Sequence, residues 1–367
     1  MKVAYFTVTL DPKNGWGRYS TDLVRYIAPL GVEPTLITGA GPVAEELRGM
    51  PISQILPEGR PRGPRRLALW LLAGKLRAAT QGCELIHVLT ELTAPYGLAA
   101  AGRRPMVVTV HGTYGLVPFV DPSFRRIRKA LVRARAVAYC SRYTQRRVSP
   151  LWRPPMEEAI LNGVDSERFP MQARPAPSGR PARILSIGGL KERKGFQYLV
   201  EALALLRGRG RDVRLGIVGG EVSKRDAPEV HARIESLGMA QFVDLHGSAD
   251  EDAVRRLFAE ADLFALAPIN VETHFEGFGL VYLEAAASGL PCVGTADNGS
   301  EDAILHERNG LLVPQRDSKA LADAIETILG DGARYEAMSR EGVQWAEHQS
   351  WRNVAARMRA FYEKILG

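Results

Sequence analysis

Glu276 and Glu284 stand eight residues apart in His274-Phe275-Glu276-Gly277-Phe278-Gly279-Leu280-Val281-Tyr282-Leu283-Glu284-Ala285-Ala286-Ala287-Ser288-Gly289-Leu290-Pro291. The run follows an apolar strand expected at Leu263–Leu266 and opens a helix near Gly279. That spacing, slightly over two turns at about 3.6 residues per turn, predicts Glu276 at a loop tip and Glu284 inside the helix, both facing a ligand cleft. A carboxylate in so apolar a helix is not on a solvated face. It either pairs with a buried cation or serves a ligand, and the surrounding glycines favour the ligand. A second run, Gly188-Gly189-Leu190-Lys191-Glu192-Arg193-Lys194-Gly195, lies between an expected strand and an expected helix. Glycines that admit close backbone approach, next to cations at a helix start, suit a phosphate group; an ordinary loop with solvated lysines is the alternative.

Other signals carry plainer readings. Gly15-Trp16-Gly17 is part of a dinucleotide fingerprint, but Glu33 comes too early to end a second strand and hold a ribose, so NAD is not expected. Asp250-Glu251-Asp252 has the form of a metal-binding D-x-D, yet it precedes the helix expected at Ala253–Ala261, where acids cap the first turn; no metal is expected. His306-Glu307 lacks the second histidine of a zinc motif, and His87 reads equally as cleft-lining or structural. Cys83, Cys140 and Cys292 lack CxxC or Cys/His spacing, which argues against disulfides and zinc and for a cytoplasmic location.

The elements that must position these residues alternate throughout. Strands are expected at Val3–Leu10, Thr35–Thr38, Leu85–Leu89 and Met106–Val110, with a helix at Arg18–Ala28. Four prolines in Pro170–Pro181 oppose helix and central strand and read as a linker. The alternation restarts with strands at Arg183–Ile187, Arg214–Val218, Val243–His246, Leu263–Leu266 and Pro291–Gly294. The helices between and after them are Gly195–Arg207, Ala227–Leu237, Ala253–Ala261, Gly279–Ser288, Ser318–Leu329 and Tyr335–Leu366, the last broken near Ser350. This is an α/β chain of two parallel-sheet domains, and such sheets bind ligands beyond the carboxyl ends of their strands.

At 367 residues and 46% hydrophobic, the chain can bury two cores, and its longest uninterrupted apolar run, Leu67–Ala73, is far too short to span a bilayer. The net charge of +7 is uneven: residues 1–170 hold 24 of the 48 Lys and Arg but 13 of the 41 Asp and Glu, a balance of +11 that leaves −4 for the remainder. Two acid-free tracts carry much of it. Arg60–Arg77 has six cations interleaved with Leu67, Leu69, Trp70, Leu71, Leu72 and Leu76; Arg125–Arg147 has nine. An anionic membrane surface or a lipid-linked acceptor suits that mixture, and an amphipathic helix packed on its own sheet is the alternative. No stacking-aromatic module accompanies the charge, so nucleic acid is not expected.

Glu276 through Glu284 resembles the E-x7-E motif of the retaining glycosyltransferases of GT-B fold, family 4. Further segments resemble that family in order: Asn162-Gly163-Val164-Asp165 with Phe169, the loop from Leu190 to Gly195, Gly310-Leu311-Leu312-Val313, and Ser350-Trp351 with Tyr362. The resemblance implies that Glu284 holds the donor ribose, and that Glu276 and the backbone amides of Phe278, Gly279 and Leu280 position the donor sugar and diphosphate. It implies that Lys194 neutralises the leaving diphosphate, that Gly15 and Gly17 in the first loop approach the same phosphates, and that His111 contacts the transferred sugar. Gly189 stands where the family has arginine, and Lys191 or Arg193 could reach the same oxygens as a substitute. Asn298-Gly299-Ser300-Glu301 is one residue shorter than the family's G-G-x-x-E.

The implied architecture is GT-B: two Rossmann-like domains facing across a cleft, at 1–170 and 183–345, a linker at 171–182, and a C-terminal helix at 346–367 crossing back to the first domain. The implied activity is metal-independent, retaining transfer from a nucleoside diphosphate sugar to the hydroxyl of a glycan, lipid-linked or small-molecule acceptor. Peripheral contact with anionic membrane through 60–77 and 125–147, at its inner face, accompanies it. A GT-B phosphorylase or sugar-phosphate synthase, and a non-enzymatic binder of nucleic acid or membrane, are the alternatives.

Overall fold

A computed structural model describes residues 1–57, 66–220 and 228–367. The chain divides into two compact units, Met1–Asn162 with Trp351–Gly367, and Gly163–Ser350.

The first unit is built on a seven-stranded parallel sheet of β1 (Lys2–Phe6), β2 (Glu33–Gly39), β3 (Ile52–Leu56), β4 (Leu85–Val88), β5 (Met106–Val110), β6 (Ala136–Tyr139) and β7 (Glu157–Ala159). The order is β3-β2-β1-β4-β5-β6-β7. Val3 is in register with Pro34 on one side and Leu85 on the other, so the chain reverses its direction of travel across the sheet at β1. A crevice at the carboxyl ends is expected at such a switch point. β4, β5 and β6 are wholly buried, which is why they read as short apolar runs without alternation.

The final helix, Trp351–Leu366, belongs to this first unit. Its Trp351, Val354, Ala355, Met358, Phe361, Tyr362 and Ile365 recur at helical spacing and share one core with Tyr19, Leu23, Val24 and Ile27 of the helix Gly15–Ile27. The helix before it, Gly332–His348, ends in the second unit, so the break falls at Gln349-Ser350 and residues 346–348 are not part of the last helix.

The second unit carries a six-stranded parallel sheet of β8 (Ala182–Ile187), β9 (Val213–Val218), β10 (Val243–Gly247), β11 (Leu263–Ala265), β12 (Cys292–Thr295) and β13 (Gly310–Val313), ordered β10-β9-β8-β11-β12-β13. Its switch point lies between β8 and β11.

Several expectations require correction. The proline-rich segment is not a free linker: the division falls at Asn162/Gly163, and the segment packs on the second unit. Arg174 donates to the carbonyls of Phe258, Ala259 and Ala261 at 3.0–3.1 Å, closing the otherwise unsatisfied end of the helix Glu251–Glu260, while its amide donates to Ser339. The prolines exclude helix but not an extended strap. The tract Arg125–Arg147 is not one basic face; it is the helix Arg125–Leu131, the buried strand β6 and the start of the helix Arg142–Trp152. β1 stops at Phe6, and Gly15 and Gly17 lie in the first turn of a helix capped by Asn14 rather than in the loop. Residues 60–65 of the first basic tract, and Ala227, lie outside the described residues, as do the side chains of Arg66, Leu67 and Ala68.

Candidate active site

In the second unit, the loop after β8 is fixed by backbone contacts that only glycine allows. Gly195 adopts φ +68, and a Cβ there would stand 1.8 Å from the Ala267 carbonyl oxygen. One residue earlier the chain forms the 3-10 turn Glu192–Lys194, and the Ile269 amide donates to the Arg193 carbonyl at 2.9 Å. This docks Arg193 and Lys194 against the segment leaving β11. The loop that follows that segment is clamped in turn. The Gly299 amide donates to the Glu276 carbonyl at 2.8 Å, and a Cβ on Gly299 would meet the Gly277 oxygen at 2.1 Å.

These constraints bring three side chains together. Lys194 Nζ donates to Glu276 Oε2 at 2.6 Å and Arg193 Nη1 donates to the same oxygen at 3.2 Å. Glu276 lies in the loop before the helix Leu280–Ala287, as its position in the sequence suggested, and is buried there, at 9% exposure. Burial raises its carboxyl, but Lys194 first and Arg193 second outweigh that, and the group stays below the usual carboxylate range. Two cations therefore share one carboxylate, which leaves a net positive charge at the carboxyl ends of β8 and β11. Such a site attracts an anion. Of the two candidates to replace the cation missing at Gly189, Arg193 is the one on Glu276, whereas Lys191 is exposed.

The helix Leu280–Ala287 begins after Gly279, whose φ of +80 and 2.7 Å approach to the Tyr282 ring exclude a side chain. Its first amides lack acceptors within the helix, adding positive potential at that end. Phe278 is buried, Leu280 half-buried, and Glu284 is half-buried between the buried Leu283 and Ala285.

A polar lattice passed over in the sequence ties the carboxyl ends of β11, β12 and β13 together. Asn270 takes its amide to Gln315 Oε1 at 2.7 Å and its Nδ2 to the Asp297 carbonyl at 2.8 Å, while Arg316 donates to the Asn270 carbonyl. Asp297 and Arg316 hold positive φ values of 57 and 61, a strained backbone of the kind found at binding sites. Glu301 accepts the Asp297 amide at 2.8 Å. Asp250 caps its helix through the Ala253 amide, and His306 is exposed.

In the first unit, His111 directly follows β5. Its Nε2 donates to the Leu89 carbonyl at 2.8 Å, and since a carbonyl only accepts, Nδ1 is left as the unprotonated nitrogen. Burial pushes the ring down to about 4, opposed by that hydrogen bond, so it is neutral at physiological pH. The Tyr19 ring meets it edge-on at 4.5 Å. Behind it runs a buried chain. Tyr362 bonds His87 Nδ1 at 2.5 Å, His87 Nε2 bonds Thr109 at 2.9 Å, and Thr109 meets Tyr19 at 3.3 Å. His87 is fully buried and therefore structural. Gly17 is required by packing, because a Cβ would lie 2.0 Å from the Asp11 oxygen, whereas nothing lies within 4 Å of one on Gly15. Glu91, wholly buried beside His111, is a further residue the sequence did not single out; an acid three residues past an apolar strand was the available signal.

Comparison with known proteins divides the chain at residue 168. Residues 13–168 match the family described as Glycosyltransferase Family 4, and residues 168–345 match Glycosyl transferases group 1. A GDP-mannose-dependent alpha-(1-6)-phosphatidylinositol monomannoside mannosyltransferase of Mycolicibacterium smegmatis is 32% identical over 281 residues, 70% of each chain. Among solved structures, sucrose-phosphate synthase from Thermosynechococcus elongatus superposes with a TM-score of 0.77 at 21% identity, over 100% of this chain and 99% of that one. Anabaena HepE, solved in complex with UDP, gives 0.80 at 20% identity, over 99% and 100%.

Proposed function

The chain is a glycosyltransferase of GT-B fold belonging to glycosyl transferases group 1, family 4, and from that premise we propose that it moves a sugar from a nucleoside diphosphate sugar to an acceptor hydroxyl, with retention and without a metal ion. The observation that carries this reading is the Lys194–Glu276–Arg193 cluster. Its excess positive charge is placed to receive a diphosphate, and as the bond to the anomeric carbon breaks, the two cations meet the charge that grows on the leaving phosphate. Fixed charges of this kind usually supply the largest catalytic contribution. They also do the work that a divalent ion does in other transferases.

Glu276, held ionised by its neighbours, is free to accept hydrogen bonds from hydroxyls of the donor sugar once the cations turn to phosphate. Glu284 accepts two ribose hydroxyls, and the amides of Phe278, Gly279 and Leu280 meet phosphate oxygen. His111 offers its bare Nδ1 to a hydroxyl of the transferred sugar, and Gly15 and Gly17 allow backbone approach to the donor. Retention is proposed from the family alone. The M. smegmatis relative is GDP-mannose-dependent and acts on a phosphatidylinositol mannoside, which supports a lipid-linked acceptor here. We extend that to contact with an anionic membrane at its cytoplasmic face, for which the exposed Trp70 and Leu71, at 73% and 62%, give a physical basis.

Thermal unfolding in the presence of UDP, GDP, ADP and NAD, with and without EDTA, tests the donor site, since a native-state ligand raises the melting temperature. One nucleoside diphosphate is expected to raise it regardless of EDTA, and Lys194→Ala to abolish most of the rise. A rise only with NAD, a rise that needs metal, or an unaltered response in Lys194→Ala would remove the proposal.

A further inference from the structure

Glu91 lies in the 3-10 turn Glu91–Thr93 that follows β4, with no exposed surface. Its Oε1 accepts the His111 amide at 2.7 Å. Oε2 is equally buried, and among the described residues no donor reaches it in hydrogen-bonding geometry. The next residue after His111, Gly112, adopts φ 134 and ψ −113 and leads into the helix Thr113–Val120. No residue with a side chain sits comfortably in that conformation. Glycine at 112 is what permits the His111-Gly112 turn, and Glu91 is the side chain that grips it.

We propose that Glu91 is a positioning residue whose carboxylate, through the His111 amide, sets the conformation of the His111-Gly112 turn and makes the aim of the His111 ring depend on pH. The role rests on the reading of His111 as a contact to the transferred sugar. Burial pushes the Glu91 carboxyl up to about 7, and the opposing influences are backbone amides of Glu91, His111 and Gly112. The His111 and His87 rings stay neutral across that range, held down to about 4 and about 3. The other titratable groups on elements packed around the turn are Arg18, Tyr19, Asp22, Arg25 and Tyr26 of the helix Gly15–Ile27, Tyr96, Tyr114 and Cys140, together with Arg125, Arg126, Arg128 and Lys129 of the helix Arg125–Leu131, which turns Ile127, Ala130 and Leu131 inward. Burial raises the Tyr19 and Tyr96 hydroxyls, so they keep their protons.

Ionisation puts a charge where water does not reach and leaves Oε2 without a donor in hydrogen-bonding geometry among the described residues. Loosening of the turn that admits water to the carboxylate relieves that cost, so a carboxyl that titrates higher in the closed turn than in water favours the closed turn when protonated. The neutral acid still accepts the His111 amide through its carbonyl oxygen. The turn is thus ordered below about pH 7 and loosened above it.

Amide hydrogen exchange over residues 109–114, corrected for the intrinsic effect of pH, reads the turn directly. In the wild type, protection of the His111 and Gly112 amides is expected to fall severalfold between one unit below and one unit above the Glu91 midpoint, and in Glu91→Gln to be flat. Hydrolysis of GDP-mannose and UDP-glucose supplies the second readout: kcat falls through the same midpoint in the wild type and not in Glu91→Gln, with donor KM unchanged. Wild-type protection that ignores pH or rises with it, or the same fall persisting in Glu91→Gln, overturns the proposal; if Glu91→Gln fails to fold, the wild-type exchange profile alone decides. Full turnover in a folded His111→Ala would instead refute the reading of His111, leaving the exchange result to judge Glu91.

Discussion

Glu276 holds one negative charge between two positive ones, and the consequences of neutralising it run in opposite directions for binding and for chemistry. In Glu276→Gln the two cations lose their partner, which costs about 1–3 kcal/mol of stability. The same cations become freer to meet a diphosphate. Affinity for the nucleoside diphosphate is therefore expected to hold or to tighten, while kcat falls by roughly 100-fold or more because the group proposed to face the donor sugar is gone. Calorimetric titration alongside turnover separates the two; a loss of diphosphate affinity with unchanged kcat would contradict the assignment. At this scale the sequence pointed to Glu276 and Lys194 as chemistry-bearing but could not join them, because they stand 82 residues apart and meet only when the loops after β8 and β11 are brought side by side.

At the scale of elements, glycines divide by what they prevent. Gly195 has both a positive φ and a carbonyl oxygen 1.8 Å from its absent Cβ, so Gly195→Ala is expected to cost at least about 1–3 kcal/mol and to displace Arg193 and Lys194 with the turn. Gly15 opens the helix capped by Asn14 with open space around it, and Gly15→Ala should leave stability unchanged or raise it by about 0.4–1 kcal/mol. Melting temperatures with and without nucleoside diphosphate make the comparison. If Gly15→Ala keeps its stability yet loses the nucleotide-induced rise, the backbone there approaches the donor as proposed; an unaltered rise removes that role. The N-caps were readable locally, as Asp250 shows. The strand β6 was not: four residues between Arg135 and Arg142 are too short a run to reveal a period, and the charge around them masks their burial.

Across the whole molecule, the net positive charge lies in the first 170 residues, and no helix among the described residues is long and apolar enough to cross a membrane. The protein is therefore expected to sediment with phosphatidylcholine vesicles only when they contain phosphatidylglycerol, and progressively less as salt screens the attraction. Trp70→Glu should weaken that binding without lowering the melting temperature, since the indole is already in solvent; equal sedimentation with neutral vesicles, or none with either, would contradict membrane contact. The sequence by itself determined the alternation of strand and helix, the parallel α/β class, and the glycine-bracketed carboxylate and cations, because periodicity and turn chemistry are local properties. Only the tertiary structure decided that the proline-rich strap belongs to the second unit, that Trp351–Leu366 completes the core of the first, that Arg193 rather than Lys191 joins Lys194 on Glu276, and that Glu91 grips His111. Those outcomes depend on which distant segments share a sheet edge and which polar groups are buried together, and no local pattern encodes the energy of such encounters.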